Sequence, residues 1–122
     1  MRSIKLSLSS KSIMGWDAAV YLVEAYLIGG QKADQLLDQL PENFVGERRA
    51  VCQSLFLGAL RHGHRTRAAL EGLLRKKTKY SVEAILLVSG YEMFNADADR
   101  HPKIIHHAVE RSKQLVNRFE QG

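Results

Sequence analysis

At 122 residues, 45% apolar and 25% charged, the chain can bury one core without disulfides or metals, and its composition excludes disorder along its length. Its one cysteine, Cys52, excludes an intramolecular disulfide and an all-cysteine metal site, and no apolar run is long enough to span a bilayer. The net charge of +5 is concentrated: Arg61, Arg65, Arg67, Arg75, Lys76, Lys77 and Lys79 stand against the single acid Glu71, while the rest of the chain is close to neutral.

Residues 1–12 carry Arg2, Lys5 and Lys11 among serines and lack the apolar run of a signal peptide. They read as a basic, Ser-rich arm ahead of one helical domain over 13–122, and a cytoplasmic location is expected. From Ile13 to Ile28, apolar residues at steps of three and four (Trp16, Ala19, Val20, Val23, Leu27) predict a helix, with Ser12 as its cap and Gly29-Gly30 as its stop. A short second helix carries Leu36, Leu37 and Leu40 and ends at Pro41. A third starts near Glu47 and runs through Val51, Leu55, Phe56 and Leu60. Gly58 in its middle costs about 1 kcal/mol relative to alanine, which predicts a neighbouring helix in close approach.

Past Gly63 the pattern resumes at Ala69, Leu70, Leu73 and Leu74, either as a new helix or as a kinked continuation. Ser81 is expected to cap a strongly apolar helix, and Asn95 to Arg100 to form a loop. Pro102 opens the last helix. Leu55 and Leu86 are expected in the core. No window alternates at period two, so the fold class is all-α, a compact bundle of five to six helices.

Catalytic signals are absent. There is no Gly-rich phosphate loop and no strand to carry one. His62 and His64 form an HxH pair, and adjacent helical residues such as His106 and His107 point about 100° apart, so neither pair matches a zinc signature. Cys52 reads as a buried, inert thiol. The chain alone is expected to be no enzyme and to hold no metal or cofactor. What remains is the basic cluster, which suits a polyanion because each neutralised phosphate releases counterions. The alternative is a solvated helix face. Tyr80 beside Lys79 is the one ring in the cluster on which an unstacked base could rest.

Three segments in register carry a family resemblance. Arg48-Arg49-Ala50 followed by Leu57-Gly58-Ala59-Leu60-Arg61-His62 resembles the "GVLRH"-type helix of NusB-like domains. Leu86 to Met93 is similar to their "LRLGLYQLL" helix, and Ala108 to Leu115 to their "AVELAKRL" segment. Trp16 to Leu37 resembles their first helix pair. The resemblance implies RNA binding, either in a stand-alone transcription antitermination factor that acts with a small ribosomal protein, or in the N-terminal domain of a Sun/Fmu-type rRNA cytosine-C5 methyltransferase; the alternative is a protein-interaction or structural domain that does not touch RNA. Leu60-Arg61 is nearer the methyltransferase branch. There, S-adenosylmethionine would be bound only by a downstream catalytic domain, which is also a packing partner. The expected RNA contacts are Arg61, Arg65, Arg67, Arg75, Lys76, Lys77, Lys79 and Tyr80.

Three departures stand out, one of them His106 and His107, which fall where "NE" is common just before "AV". Trp16-Asp17 occupies the place of an arginine usual near the start of the first helix, and the family's closing helix has no counterpart after Phe119. Its absence predicts exposed apolar surface on the helices Ser81–Asn95 and Pro102–Gln121, and through it a route to homo-oligomers.

Overall fold

The computed structural model describes residues 13–70 and 79–121, with the side chains of the last helix described through Lys113. Among these residues lie six α-helices, one 3-10 turn and no strand. The all-α expectation holds.

Helix α1 (Gly15–Gly29) is the axis of the bundle. Every residue from Gly15 to Val23 is buried, as is Ala25. A helix apolar all round is one surrounded by others, and α1 packs against α3 on one side and α5 on another. Its start differs from expectation. Met14, not Ser12, is the cap residue, and the Asp17 carboxylate accepts the Met14 backbone N–H at 2.9 Å. Ser12 lies outside the described residues. The stop is as expected: Gly30 takes φ 66°, and its N–H closes on the Tyr26 carbonyl at 3.1 Å.

Helix α2 (Ala33–Asp38) and the turn after it cover one end of α1, with Leu36, Leu37, Leu40 and Phe44 buried. The guanidinium of Arg48 lies over the Phe44 ring, 4.6 Å from its centroid, and donates to the Ile13 carbonyl at 2.9 Å. Helix α3 (Glu47–Arg61) buries Cys52, Phe56 and Ala59, one stripe at steps of four and three. Leu55 is only partly buried. A Cβ built on Gly58 would stand 2.2 Å from Cζ of Tyr91, so the close approach predicted from this glycine is to the Tyr91 ring.

The chain breaks at His62 (φ −107°, ψ 11°) and starts a new helix, α4 (Gly63–Ala69), which resolves the choice between new helix and kink. Leu73 and Leu74 lie outside the described residues. Helix α5 (Tyr80–Phe94) begins one residue before Ser81, with Lys79 at its N-cap position and no side-chain cap hydrogen bond. The expectation that Ser81 caps it is therefore corrected. Within α5 the fully packed residues are Ala84, Leu87 and Val88, while Leu86 faces a surface trough and not the core. The expected loop at 95–100 contains a 3-10 turn, Ala98–Arg100, leading into α6 (His101–Gln121). Nε2 of His101 donates to the Met93 carbonyl at 2.9 Å and ties this turn to the end of α5.

Candidate nucleic-acid interface

The basic residues occupy two places. Arg61 ends α3 and Arg65 lies in the first turn of α4, so the two flank the α3–α4 corner, and both are exposed. Arg67 and Lys79 sit further along, on α4 and at the cap of α5. Arg75, Lys76 and Lys77 lie outside the described residues. The cations are not equivalent. Arg67 donates through Nε (3.0 Å) and Nη2 (2.8 Å) to Oε1 of Glu83, so much of its charge is matched within the protein. Arg61, Arg65 and Lys79 have no carboxylate partner among the described residues.

Tyr80, the ring expected to serve the cluster, is half exposed at the first position of α5. The structure also brings up two rings that sequence separation hides. Tyr91 and Phe94, three apart on α5, reach the α3–α4 corner. The Arg65 guanidinium lies 4.5 Å from the Phe94 centroid, and Phe94 is 42% exposed. His62 stacks on Tyr91, with centroids 5.5 Å apart and planes 14° from parallel. Arg61, Gln53 and Gly58 line a shallow cleft of about 410 Å³ that ends on the Tyr91 ring. Cations interleaved with partly exposed rings can take phosphates and unstacked bases together.

The departure at Trp16-Asp17 has a structural role. Asp17 is fully buried, and Arg111 of α6 grips it through both oxygens, Nε to Oδ1 at 2.8 Å and Nη2 to Oδ2. Nε1 of Trp16 donates to Oε1 of Glu92 at 2.9 Å, and its ring meets His107 edge-on, with centroids 5.1 Å apart. Burial raises the Glu92 carboxyl above its ordinary value, opposed by the Trp16 bond. Burial, then Arg111, lowers the His107 imidazole. These residues join α1 to α5 and α6 and are not available to a ligand. Cys52 is fully buried, and desolvation pushes its thiol up to about 12, the opposite of an activated nucleophile.

No helix is long and apolar enough to cross a membrane among the described residues. No curated protein and no solved structure matches the chain. Residues 17–122 match the NusB family. With all but the first sixteen residues inside that match, and with an all-helical bundle around a buried first helix, the chain belongs to the NusB family, whose domains are generally RNA-binding.

Proposed function

We propose that this chain is an RNA-binding module that brings rRNA to an S-adenosylmethionine-dependent cytosine-C5 methyltransferase domain on the same polypeptide. The observation that carries the RNA reading is the α3–α4 corner, where exposed Arg61 and Arg65 stand beside the rings of Tyr91 and Phe94. Arg61 and Arg65 take phosphates, with Lys79 and Tyr80 extending the surface along α5. Arg75, Lys76 and Lys77, between α4 and α5 in the sequence, add positive charge to the module, and Arg67 contributes least because Glu83 already holds it. The methyltransferase assignment is supported by the Leu60-Arg61 ending of α3. It is further supported by the commitment of Trp16 and Asp17 to the core, which removes the basic helix start of the antitermination factors that the chain otherwise resembles. S-adenosylmethionine belongs to the catalytic domain and is not bound by this chain.

The test is fluorescence anisotropy of a labelled single-stranded RNA over a range of salt. About four phosphate contacts give a slope of log affinity against log salt of roughly −3. The Arg61→Glu, Arg65→Glu pair should weaken binding to every RNA tried and flatten that slope by about 1.4. Salt-insensitive binding, or binding untouched by the double reversal, would refute the interface. A saturable calorimetric signal with S-adenosylmethionine would refute the division of labour.

A further inference from the structure

On the side of α5 away from α1 the molecule carries an apolar trough of about 530 Å³. Its floor is α5, through Leu86, Ser89 and Met93. Helices α4 and α6 both pack on α5 and form the two walls, α4 with Thr66 and Ala69, α6 with Ile105 and Val109. Ile105 and Val109 are 49% and 47% exposed, and Val82 and Phe94 of the same trough are also exposed. So much large apolar surface gathered in one concavity marks a binding site and not scattered surface residues.

A second observation points the same way. The hydroxyls of Thr66 and Ser89 are buried, at 2% and 9% exposure, and make no hydrogen bond among the described residues. Both side chains line the trough. A buried hydroxyl without a partner is costly, and here two of them wait in an otherwise apolar channel. The occupant must therefore be apolar along most of its contact and polar at one point opposite Thr66 and Ser89.

The charges around the trough set its sign. Arg65, at the Phe94 end, and Lys79, next to Tyr80 and three residues before the exposed Val82, have no described carboxylate partner. Glu83 and Glu110 are engaged, by Arg67 at 2.8 Å and by Lys113 at 3.6 Å, while Asp97 and Asp99 lie on the turn beyond Phe94. Arg65 and Lys79 thus leave an unmatched cation near each end of α5. A second copy of the chain fits poorly: it also carries +5, and the exposed ridge of its α6 next to Ile105 and Val109 bears His106 and Lys113. Those residues would be pressed onto the apolar floor.

We infer that the α4–α5–α6 trough docks an amphipathic helix of a partner polypeptide, apolar on one face, with one small polar residue on that face and acidic residues at its flanks. This is the helix-in-groove mode, in which side chains at i, i+3, i+4 and i+7 enter a channel between helices. The middle polar residue meets Thr66 and Ser89, and the acids meet Arg65 and Lys79.

The test uses the full chain and a fluorescein-labelled 14-residue helical peptide with leucines at i, i+3, i+4 and i+7, one serine on that face and glutamates elsewhere. Saturable binding by anisotropy is expected, with at least a tenfold loss in Ile105→Glu and in Val109→Glu. Both positions are about half exposed, so the variants should keep the parent circular dichroism. A peptide with lysines for the glutamates should bind at least tenfold more weakly. Changing the peptide serine to alanine should weaken binding to the parent chain several-fold, but not to the Thr66→Val, Ser89→Ala variant. No binding, equal binding of the lysine peptide, or indifference to Val109→Glu would overturn the proposal. So would sedimentation showing a dimer that Val109→Glu dissociates, since the trough would then be filled by a second copy.

Discussion

Replacing Asp17 tests whether the pair with Arg111 holds the bundle closed. The Asp17 side chain is fully buried and that of Arg111 is 17% exposed. Removing one member of a buried pair costs about 3–5 kcal/mol, because the other charge keeps its burial and loses its counter-charge. Arg111 retains some access to water, which places the Asp17→Asn variant near the lower end, about 3 kcal/mol. Asparagine still offers an oxygen to the Met14 N–H. Asp17→Ala removes that acceptor as well and should lose about 1 kcal/mol more. Against a typical total of about 5–15 kcal/mol, either loss is large. Urea unfolding followed at 222 nm measures both, and the midpoint should fall with little change in slope. A double change, Asp17→Leu with Arg111→Met, should recover most of the deficit, because apolar replacement of a whole buried pair is often neutral. A cost below about 1 kcal/mol for Asp17→Asn would refute the pair's role, and equal costs for asparagine and alanine would refute the capping contribution.

Gly58→Ala should destabilise by about 1–3 kcal/mol despite alanine's better helix propensity, since its Cβ would stand 2.2 Å from the Tyr91 ring. Adding Tyr91→Ala should reduce that penalty, and thermal unfolding of the three variants checks it. Cys52, buried with its thiol pushed up to about 12, should react with an aromatic disulfide reagent roughly 10³-fold more slowly in the native chain than in urea, a ratio set by the opening equilibrium. His107 should make the fold acid-sensitive. Burial and Arg111 lower its value below 6.5, against the nearby Asp17 carboxylate, so the unfolded chain takes up the proton first. Stability should therefore fall as pH drops from about 7.5 through 6.5 toward the lowered folded value, and His107→Gln should flatten that fall. Glu92, raised above 4.5, acts oppositely at lower pH, its contribution being lost as pH rises through its folded value. Urea midpoints at pH 7.5 and 6.0 separate the two.

The helices were legible where periodicity and punctuation agreed, as at Gly29-Gly30 and Glu47. Errors came where chemistry offered a plausible competitor. Serine is a better capping residue than lysine or methionine, yet Lys79 holds the cap position of α5 without a side-chain bond, and at α1 the Asp17 side chain accepts the Met14 N–H from inside the helix. Leu86 was misplaced because α5 is apolar on nearly every face, which leaves periodicity silent about which face meets α1. At the candidate interface the local charge excess was visible, but its internal neutralisation was not: Glu83 lies sixteen residues from Arg67. The rings of Tyr91 and Phe94 reach Arg61 and Arg65 only through the packing of α5 on α3 and α4, a relation no local window contains.

The clasp between the two ends of the bundle also bears on how the chain folds during synthesis. Trp16 finds Glu92 76 residues later, and Asp17 finds Arg111 94 residues later. At about 5–20 residues per second, α1 spends on the order of 5–20 s outside the ribosome's catalytic centre before its ion partner has even been polymerised. Until α5 has been made, a helix apolar on all sides, with a carboxylate in its first turn, has only α2 and α3 among its packing partners to shelter it. Long-range closure of this kind slows folding relative to a bundle of sequential hairpins. The exposed helix is the segment on which a chaperone would act, and destabilising the clasp would lengthen its exposure as well as loosen the finished fold.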